Sequence, residues 1–298
     1  MIRIGVDFGG TKIEAAALGT SGEFLARHRA PNPGSYDASL ETVRSLVGEI
    51  ESTLGKTGTV GVGAPGSISP ISGVIRNANT LWLNGRDFTT DLSAALSRPV
   101  RVANDANCFV LSEVQDGAAR NAKVAFGVIL GTGCGGGLAI DRVLIEGANG
   151  IAGEWGHVAV PQSDARATEP PLCWCGQRGC NEIWISGTGL QEDYSATEGI
   201  SLKSEEIVRL MRAMDEGATA AFERYLDRLG RALAAVCNIV DPDTIVFGGG
   251  MSNVAEIYAL LPDVIRRYVF ADHWTANLVP AHWGDSSGVR GAARLWDP

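Results

Sequence analysis

One order of elements, strand, glycine turn, strand, strand, occurs twice in this sequence, and that repetition constrains the fold more than any other feature. Residues 2–6 read as a buried strand, residues 13–18 as a second after Gly9-Gly10, and residues 24–29 as a third after Ser21-Gly22. After Asn121 the order restarts with residues 124–130, a glycine turn, residues 138–140 and residues 143–145, which reads as a structural duplication. Helices follow in both halves. Leu40, Val43, Leu46, Val47, Ile50 and Leu54 recur at helical spacing behind Asp37, and Ala221, Phe222, Tyr225, Leu226, Leu229, Leu233 and Cys237 mark a longer amphipathic helix. Residues 60–64, 100–103 and 244–247 read as further strands. Strands alternating with helices predict an α/β fold with sheets covered by helices. The break between the two strand meanders falls near residues 117–121, which predicts domains over 1–117 and 118–285; the polar, proline-bearing residues 161–171 are expected to form a surface loop.

Charge removes one class of function. With 34 acidic against 25 basic residues in 298, the net charge is −9, which argues against wide nucleic-acid contact. A phosphate-bearing ligand must then be held by local backbone donors or a metal. Asp7 interrupts the first apolar run too early for a signal peptide, and glycines punctuate the longest uncharged stretch, residues 124–140. A cytoplasmic protein with neither nucleic-acid nor membrane partners is the expectation. Three of the six cysteines cluster at Cys173, Cys175 and Cys180, which points to a metal before a disulfide.

Three glycine-rich segments imitate nucleotide motifs and fail on context. Leu54-Gly55-Lys56-Thr57 lacks the preceding strand and the correct first glycine of a P-loop, so a surface turn is expected there. Residues 61–66 and 131–136 both fit G-x-G-x-x-G, but Pro65 sits in the first and a strand follows the second. A dinucleotide fold needs a helix N-terminus at that point, which also counts against an oxidoreductase.

Other segments keep their chemistry. Asp7-Phe8-Gly9-Gly10-Thr11-Lys12 sets a carboxylate at a strand end before a turn whose N–H groups can approach an anion, and Asp7 suits a hydrated magnesium ion. Gly131-Thr132-Gly133 stands at the matching point of the second meander, so two phosphate cradles facing each other are expected. Gly248-Gly249-Gly250-Met251 follows a strand and leaves room for a flat base. Asn104-Asp105 ends a strand and opens a helix. Asp105 is either the helix N-cap or a general base that takes a proton from a substrate hydroxyl, with Asn104 holding a neighbouring hydroxyl. His157 with Cys173, Cys175 and Cys180 makes a Cys₃His set suited to structural zinc, and Glu154 and Glu182 flank it as acceptors for sugar hydroxyls.

Taken in order, residues 7–12, 104–105, 131–133, Gly153-Glu154-x-Gly156-His157 and 173–187 resemble the ROK family of sugar kinases and repressors. The resemblance implies a two-domain actin-like ATPase fold, ribonuclease H-like, whose domains close over sugar and ATP, and a C-terminal segment, about 286–298, that completes the first domain. It makes Asp105 the catalytic base and sets Asn104, Glu154, His157 and Glu182 around the sugar, with Gly66 and Asn79 added. His157 would serve zinc and sugar together. Asp7, Gly9, Gly10, Thr11, Lys12, Gly131, Thr132 and Gly133 would face the phosphates and magnesium, and Gly248, Gly249, Gly250 and Met251 the adenosine. With the first strand read from Ile2, a repressor's DNA-binding domain is not expected, which favours the kinase branch of the family. Segments 65–70 and 77–85 look most like fructokinases that also accept mannose, which implies a fructose or mannose 6-kinase, with N-acetylglucosamine kinase or glucokinase as alternatives. A homodimer is suggested by the same resemblance, and a non-catalytic sugar sensor is the reading from another class.

Overall fold

The computed structural model describes residues 2–160 and 170–297, so nothing is assigned to most of the loop expected at 161–171, which lies outside the described residues. In chain order the elements are β1 (Ile2–Phe8), β2 (Lys12–Leu18), β3 (Phe24–Pro31), α1 (Tyr36–Leu54), β4 (Gly58–Ala64), β5 (Ser67–Ile68), β6 (Ile75–Arg76), α2 (Phe88–Leu96), β7 (Val100–Asn104) and α3 (Asp105–Asp116). They continue as β8 (Val124–Leu130), β9 (Cys134–Ile140), β10 (Val143–Leu144), α4 (Asn181–Ile185), α5 (Gly187–Glu198), α6 (Ser204–Arg212), α7 (Glu216–Val240), β11 (Thr244–Gly248), α8 (Ala255–Arg266), β12 (Asn277–Pro280) and α9 (Ser287–Ala293).

The duplication is visible in the sheets. One has the order β3-β2-β1-β4-β7, the other β10-β9-β8-β11-β12. In each the meander is antiparallel and two further strands add in parallel, as Val6 shows by standing opposite both Ala15 and Val62. The parallel strands are joined through helices, as parallel pairing requires. Ile4, Val6 and Phe8 of β1 are fully buried with Val43, Val47 and Ile50 of α1. Phe8 meets Phe88 edge-on at 5.0 Å between ring centroids. Helix α1 ends on Gly55 at φ +61°, a left-handed cap whose N–H donates to Glu51 O, so the segment that imitates a P-loop is a helix stop.

The chain forms two compact units, Met1–Asn121 with Gly137–Ala152 and His282–Pro298, and Ala122–Gly136 with Gly153–Ala281. The first includes a segment, Gly137–Ala152, that the sequence reading kept within a continuous 118–285. Close packing on α3 accounts for it. A β-carbon on Gly137 would lie 2.8 Å from both Ala106 O and Val110 Cγ1, and the Arg142 guanidinium donates to Gln115 O at 2.8 Å. The glycine run itself also differs from expectation: β9 starts at Cys134, so Gly135 and Gly136 are strand and not turn. Gly136 is needed because a β-carbon there would lie 2.6 Å from Gly153 O.

The C-terminal helix α9 returns to the first unit and nests in it backbone to backbone. A β-carbon on Gly5 would collide with Val289 O, one on Gly61 with Ala292 O, and one on Gly291 with Cys108 O. The fully buried Glu113 of α3 receives the returning chain. Its carboxylate accepts the Ala118 N–H at 2.8 Å, the His282 N–H at 3.0 Å, the Trp283 N–H at 3.2 Å and the Ser287 hydroxyl at 2.8 Å. Asp116 pairs with Arg290 and Arg294 beside it. Among the described residues no helix is long and apolar enough to cross a membrane.

Gly61→Ala is expected to cost about 2–3 kcal/mol or more, because the added methyl meets backbone that cannot turn aside. Gly48→Ala, inside α1 with nothing within 4 Å of the new methyl, is expected to be neutral or stabilising by up to about 1 kcal/mol. Denaturant midpoints of the two variants against the parent check both.

Candidate active site

In the first unit the β1–β2 hairpin carries Asp7, Gly9, Gly10, Thr11 and Lys12. Asn32, which the sequence reading passed over, fixes this turn: its side chain donates to Gly9 O at 2.8 Å and its backbone N–H to Thr11 O at 2.9 Å. Gly10 leaves space that Thr80 borders, with Oγ1 3.3 Å from where a β-carbon would stand. The Asp7 carboxyl lies over Gly288 of α9, 3.5 Å from that residue's would-be β-carbon. Its pKa is pushed up to about 6, first by burial and then by the negative charges of Asp105 and Glu14, against Lys12 and Arg29. Asp7 and Asp105 thus share one electrostatic neighbourhood, and an ionised pair there favours a cation.

The structure assigns the helix cap differently from one expectation. Asn104, not Asp105, is the N-cap of α3: its Oδ1 accepts the Ala106 N–H at 2.8 Å and the Asn107 N–H at 3.4 Å, while its Nδ2 donates to Gly66 O at 2.9 Å. The cap needs a short acceptor before the first helical residue, and Asn104 fills that place. Asp105 sits in the first turn of α3, where its Oδ1 also accepts the Ala106 N–H at 2.8 Å and backbone N–H groups favour a carboxylate. Gly66 adopts φ +84°, and a side chain there would run into Arg76 O at 2.6 Å. A cavity of about 280 Å³ is lined by Gly66 and Asn104 together with Ser67, Asn107 and Glu146; Asn79 and Asp105 lie outside its wall. Asn79 is exposed, in a loop tied by Asn84, whose side chain both donates to Ala78 O and accepts the Ala78 N–H at 2.9 Å.

In the second unit the β8–β9 turn is closed by the Gly131 N–H donating to Gly133 O at 3.0 Å. The Gly187 N–H at the start of α5 holds Gly131 O from the other side at 2.7 Å. A cavity of about 480 Å³ brings Gly131 and Thr132 together with Gly250 and Met251, and adds Gln191, Ser204, Glu205, Val208, Arg212 and Val254. Gly133, Gly248 and Gly249 do not line it. Gly249 is at φ +77° because its backbone crosses that of Leu130, where no side chain fits. The residues from α5, α6 and the start of α8 were not foreseen, since no short motif marks them.

The Cys₃His set converges. The ligand atoms of His157, Cys173, Cys175 and Cys180 all lie within 4.8 Å of one another, with Cys173 Sγ 3.7 Å from His157 Nδ1 and Cys175 Sγ 3.6 Å from Cys180 Sγ. A tetrahedral zinc with bonds of about 2.3 Å separates two sulfur ligands by about 3.8 Å, so the donors fit that ion in type, number and spacing. Glu182, two residues past the last cysteine, is anchored at both oxygens: Oε2 accepts the Cys134 N–H at 3.0 Å and Oε1 the Trp174 indole N–H at 2.5 Å. Glu154 directly precedes the short turn that presents His157.

Comparison with known proteins agrees with this geometry. The profile of the ROK family matches residues 3–298. The chain is 40% identical over 296 residues to an N-acetyl-D-glucosamine kinase of Pectobacterium atrosepticum, covering 98% of this chain and 97% of that protein. It is 39% identical over 294 residues to the N-acetylgalactosamine kinase AgaK of Shewanella sp. strain ANA-3, covering 98% and 95%. A solved ROK family glucokinase of Streptomyces griseus in complex with glucose and AMPPNP superposes with a TM-score of 0.81 at 27% identity, covering 99% of each chain. Two sheets of one strand order, glycine turns at matching hairpins and a match along nearly the whole sequence lead to one conclusion: the chain belongs to the ROK family, as a sugar kinase built on the two-domain actin-like ATPase fold.

Proposed function

We propose that the chain is an ATP-dependent N-acetylhexosamine kinase that transfers the γ-phosphate to the 6-hydroxyl of a 2-acetamido sugar, N-acetylglucosamine foremost. The observation that carries this reading is the 40% and 39% identity, over 98% of the chain, to kinases of N-acetylglucosamine and N-acetylgalactosamine. Those two sugars share the 2-acetamido group and differ at carbon 4. The reading takes the place of the fructose or mannose kinase expected from segments 65–70 and 77–85. Two short loop segments are a weak guide to sugar preference, because hydroxyl discrimination depends on how loops are held and not on their composition.

Asp105 is the general base: it accepts the proton of the 6-hydroxyl as that oxygen attacks phosphorus. Its place in the first turn of α3, beside the Asn104 cap and within the electrostatic neighbourhood of Asp7, supports the assignment. Gly66, Asn79 and Asn104, with Glu154, His157 and Glu182, hold the sugar hydroxyls. The backbone N–H groups of residues 9–12 and 131–133 hold phosphate oxygens, and the cavity with Gly250 and Met251 takes the adenosine. Magnesium carried with the nucleotide supplies neutralisation of phosphoryl charge, and Asp7, whose ionised form is disfavoured without a cation, would hold it. Zinc on His157, Cys173, Cys175 and Cys180 is structural, since all four positions are filled by protein.

Release of ADP with N-acetylglucosamine, N-acetylgalactosamine, glucose, mannose and fructose at equal concentrations tests the substrate. A kcat/KM at least tenfold higher for an N-acetylhexosamine is expected; a preference for fructose or mannose would overturn the reading. Asp105→Asn is expected to lower kcat by about 10³-fold or more while sugar affinity, measured by calorimetry, stays within a few-fold; a near-normal rate would remove the base role. For Asp7, a folded pKa of about 6 against 3.8 when unfolded means that the folded state binds more protons between these values. Its contribution to stability is therefore complete below pH 3.8 and lost as pH rises through 6. Asp7→Asn is accordingly expected to melt higher than the parent at pH 7.5 without magnesium or nucleotide, with the gap closing toward pH 4, although the variant loses activity. A variant less stable than the parent at pH 7.5 would refute this.

A further inference from the structure

We infer that Trp174, the residue between the first two cysteines of the Cys₃His set, is a positioning residue for the sugar-side groups of the second unit. This rests on the assignment of Glu182 and His157 to the sugar. The indole N–H donates to Glu182 Oε1 at 2.5 Å, and the ring stands edge-on to the His157 imidazole, with centroids 4.9 Å apart and planes at 88°. One side chain thus touches both groups. The other oxygen of Glu182 is held by the Cys134 N–H at 3.0 Å, so the indole completes a two-point hold on a carboxylate that would otherwise turn about its last bond.

The placement of Trp174 has no explanation in the core. Its side chain is 53% exposed, whereas Trp155, which also donates a hydrogen bond, is buried against Phe126. A half-exposed indole on a tight loop contributes little hydrophobic stabilisation, and many residues would serve as a spacer between two cysteines. What the indole supplies here is an N–H donor on a rigid ring with two side-chain torsions. Hydrogen bonds to a charged acceptor are the stronger kind. A carboxylate already fixed in one orientation accepts sugar hydroxyls at its remaining lone pairs without losing rotamer freedom on binding. The same ring limits the tilt of His157, whose Nδ1 faces Cys173 Sγ at 3.7 Å. The metal knuckle therefore acts on the sugar groups through Trp174 as well as through His157 itself.

The test compares Trp174→Phe, which keeps an aromatic edge beside His157 and loses the donor, with Trp174→Ala, which loses both. Calorimetric titration with N-acetylglucosamine in the absence of nucleotide gives Kd, steady-state kinetics separate KM for sugar, KM for ATP and kcat, and atomic absorption gives zinc per chain. For Trp174→Phe, Kd and KM for the sugar are expected to rise about tenfold or more, with KM for ATP and kcat within about twofold and zinc content unchanged. Trp174→Ala is expected to be at least as impaired. A Trp174→Phe variant whose sugar Kd stays within twofold of the parent would overturn the inference. So would a parallel rise of both KM values together with zinc loss, which marks a knuckle that is merely structural. If the parent phosphorylates a different hexose instead, the substrate reading fails, and the same titration with that hexose still decides the role of Trp174.

Discussion

The seat of the last helix on the first sheet is the contact on which much else depends. Gly5, Gly61 and Gly291 let the backbone of α9 lie directly on β1, β4 and α3, at a closeness that no side chain permits. Burial of a carboxylate is costly unless its oxygens are satisfied, and Glu113 meets that condition by taking three backbone N–H groups and one hydroxyl. Three of those donors come from His282, Trp283 and Ser287, so the chain end is held by the same group that anchors α3. The consequence for chemistry is direct. Asp105 opens α3, and Asp7 lies over Gly288 of α9, so both acidic groups are positioned by elements fixed in this one contact.

The duplicated sheets show how one strand order takes on two jobs. Each places a glycine turn after its central strand, at Gly9-Gly10 and at residues 131–133. In the first unit the turn is braced by Asn32 and stands beside a charged pair; in the second it is braced by Gly187 and Glu182 and opens on a cavity with an apolar wall from Val208, Met251 and Val254. What surrounds the turn, rather than the turn, sets its role. In the proposed function, backbone donors of this kind would let a chain of net charge −9 hold a polyanion, through positive potential that is local.

Glu182 joins two features that the sequence presents separately. Through Cys134 it fixes the β8–β9 turn, and through Trp174 it is tied to the cysteine cluster. The cluster also holds the start of α4, because Cys180 immediately precedes it and Asn181 donates to Trp155 O at 2.7 Å. A metal at this point would order a turn, a helix start and a carboxylate together, which is more than closing a loop.

The sequence by itself determined the repeated meander, the α/β class, the amphipathic faces of α1 and α7, and the residue types of the proposed site: Asp7, Asn104-Asp105, the glycine turns and the Cys₃His set. Those features are local, written in period, spacing and residue type, so a linear reading captures them. Only the tertiary structure decided what depends on long-range approach. It gave the helix cap to Asn104 and put Asp105 in the first turn, because both are short acceptors at adjacent positions and only backbone angles separate them. It carried Gly137–Ala152 to the first unit and turned Gly135 and Gly136 into strand, since those glycines answer to partners far along the chain. Asn32, Glu113, Trp174 and the α6 face of the second cavity went unread for the same reason: each matters through a partner distant or unmarked in sequence, and no periodicity or short motif records a contact of that kind.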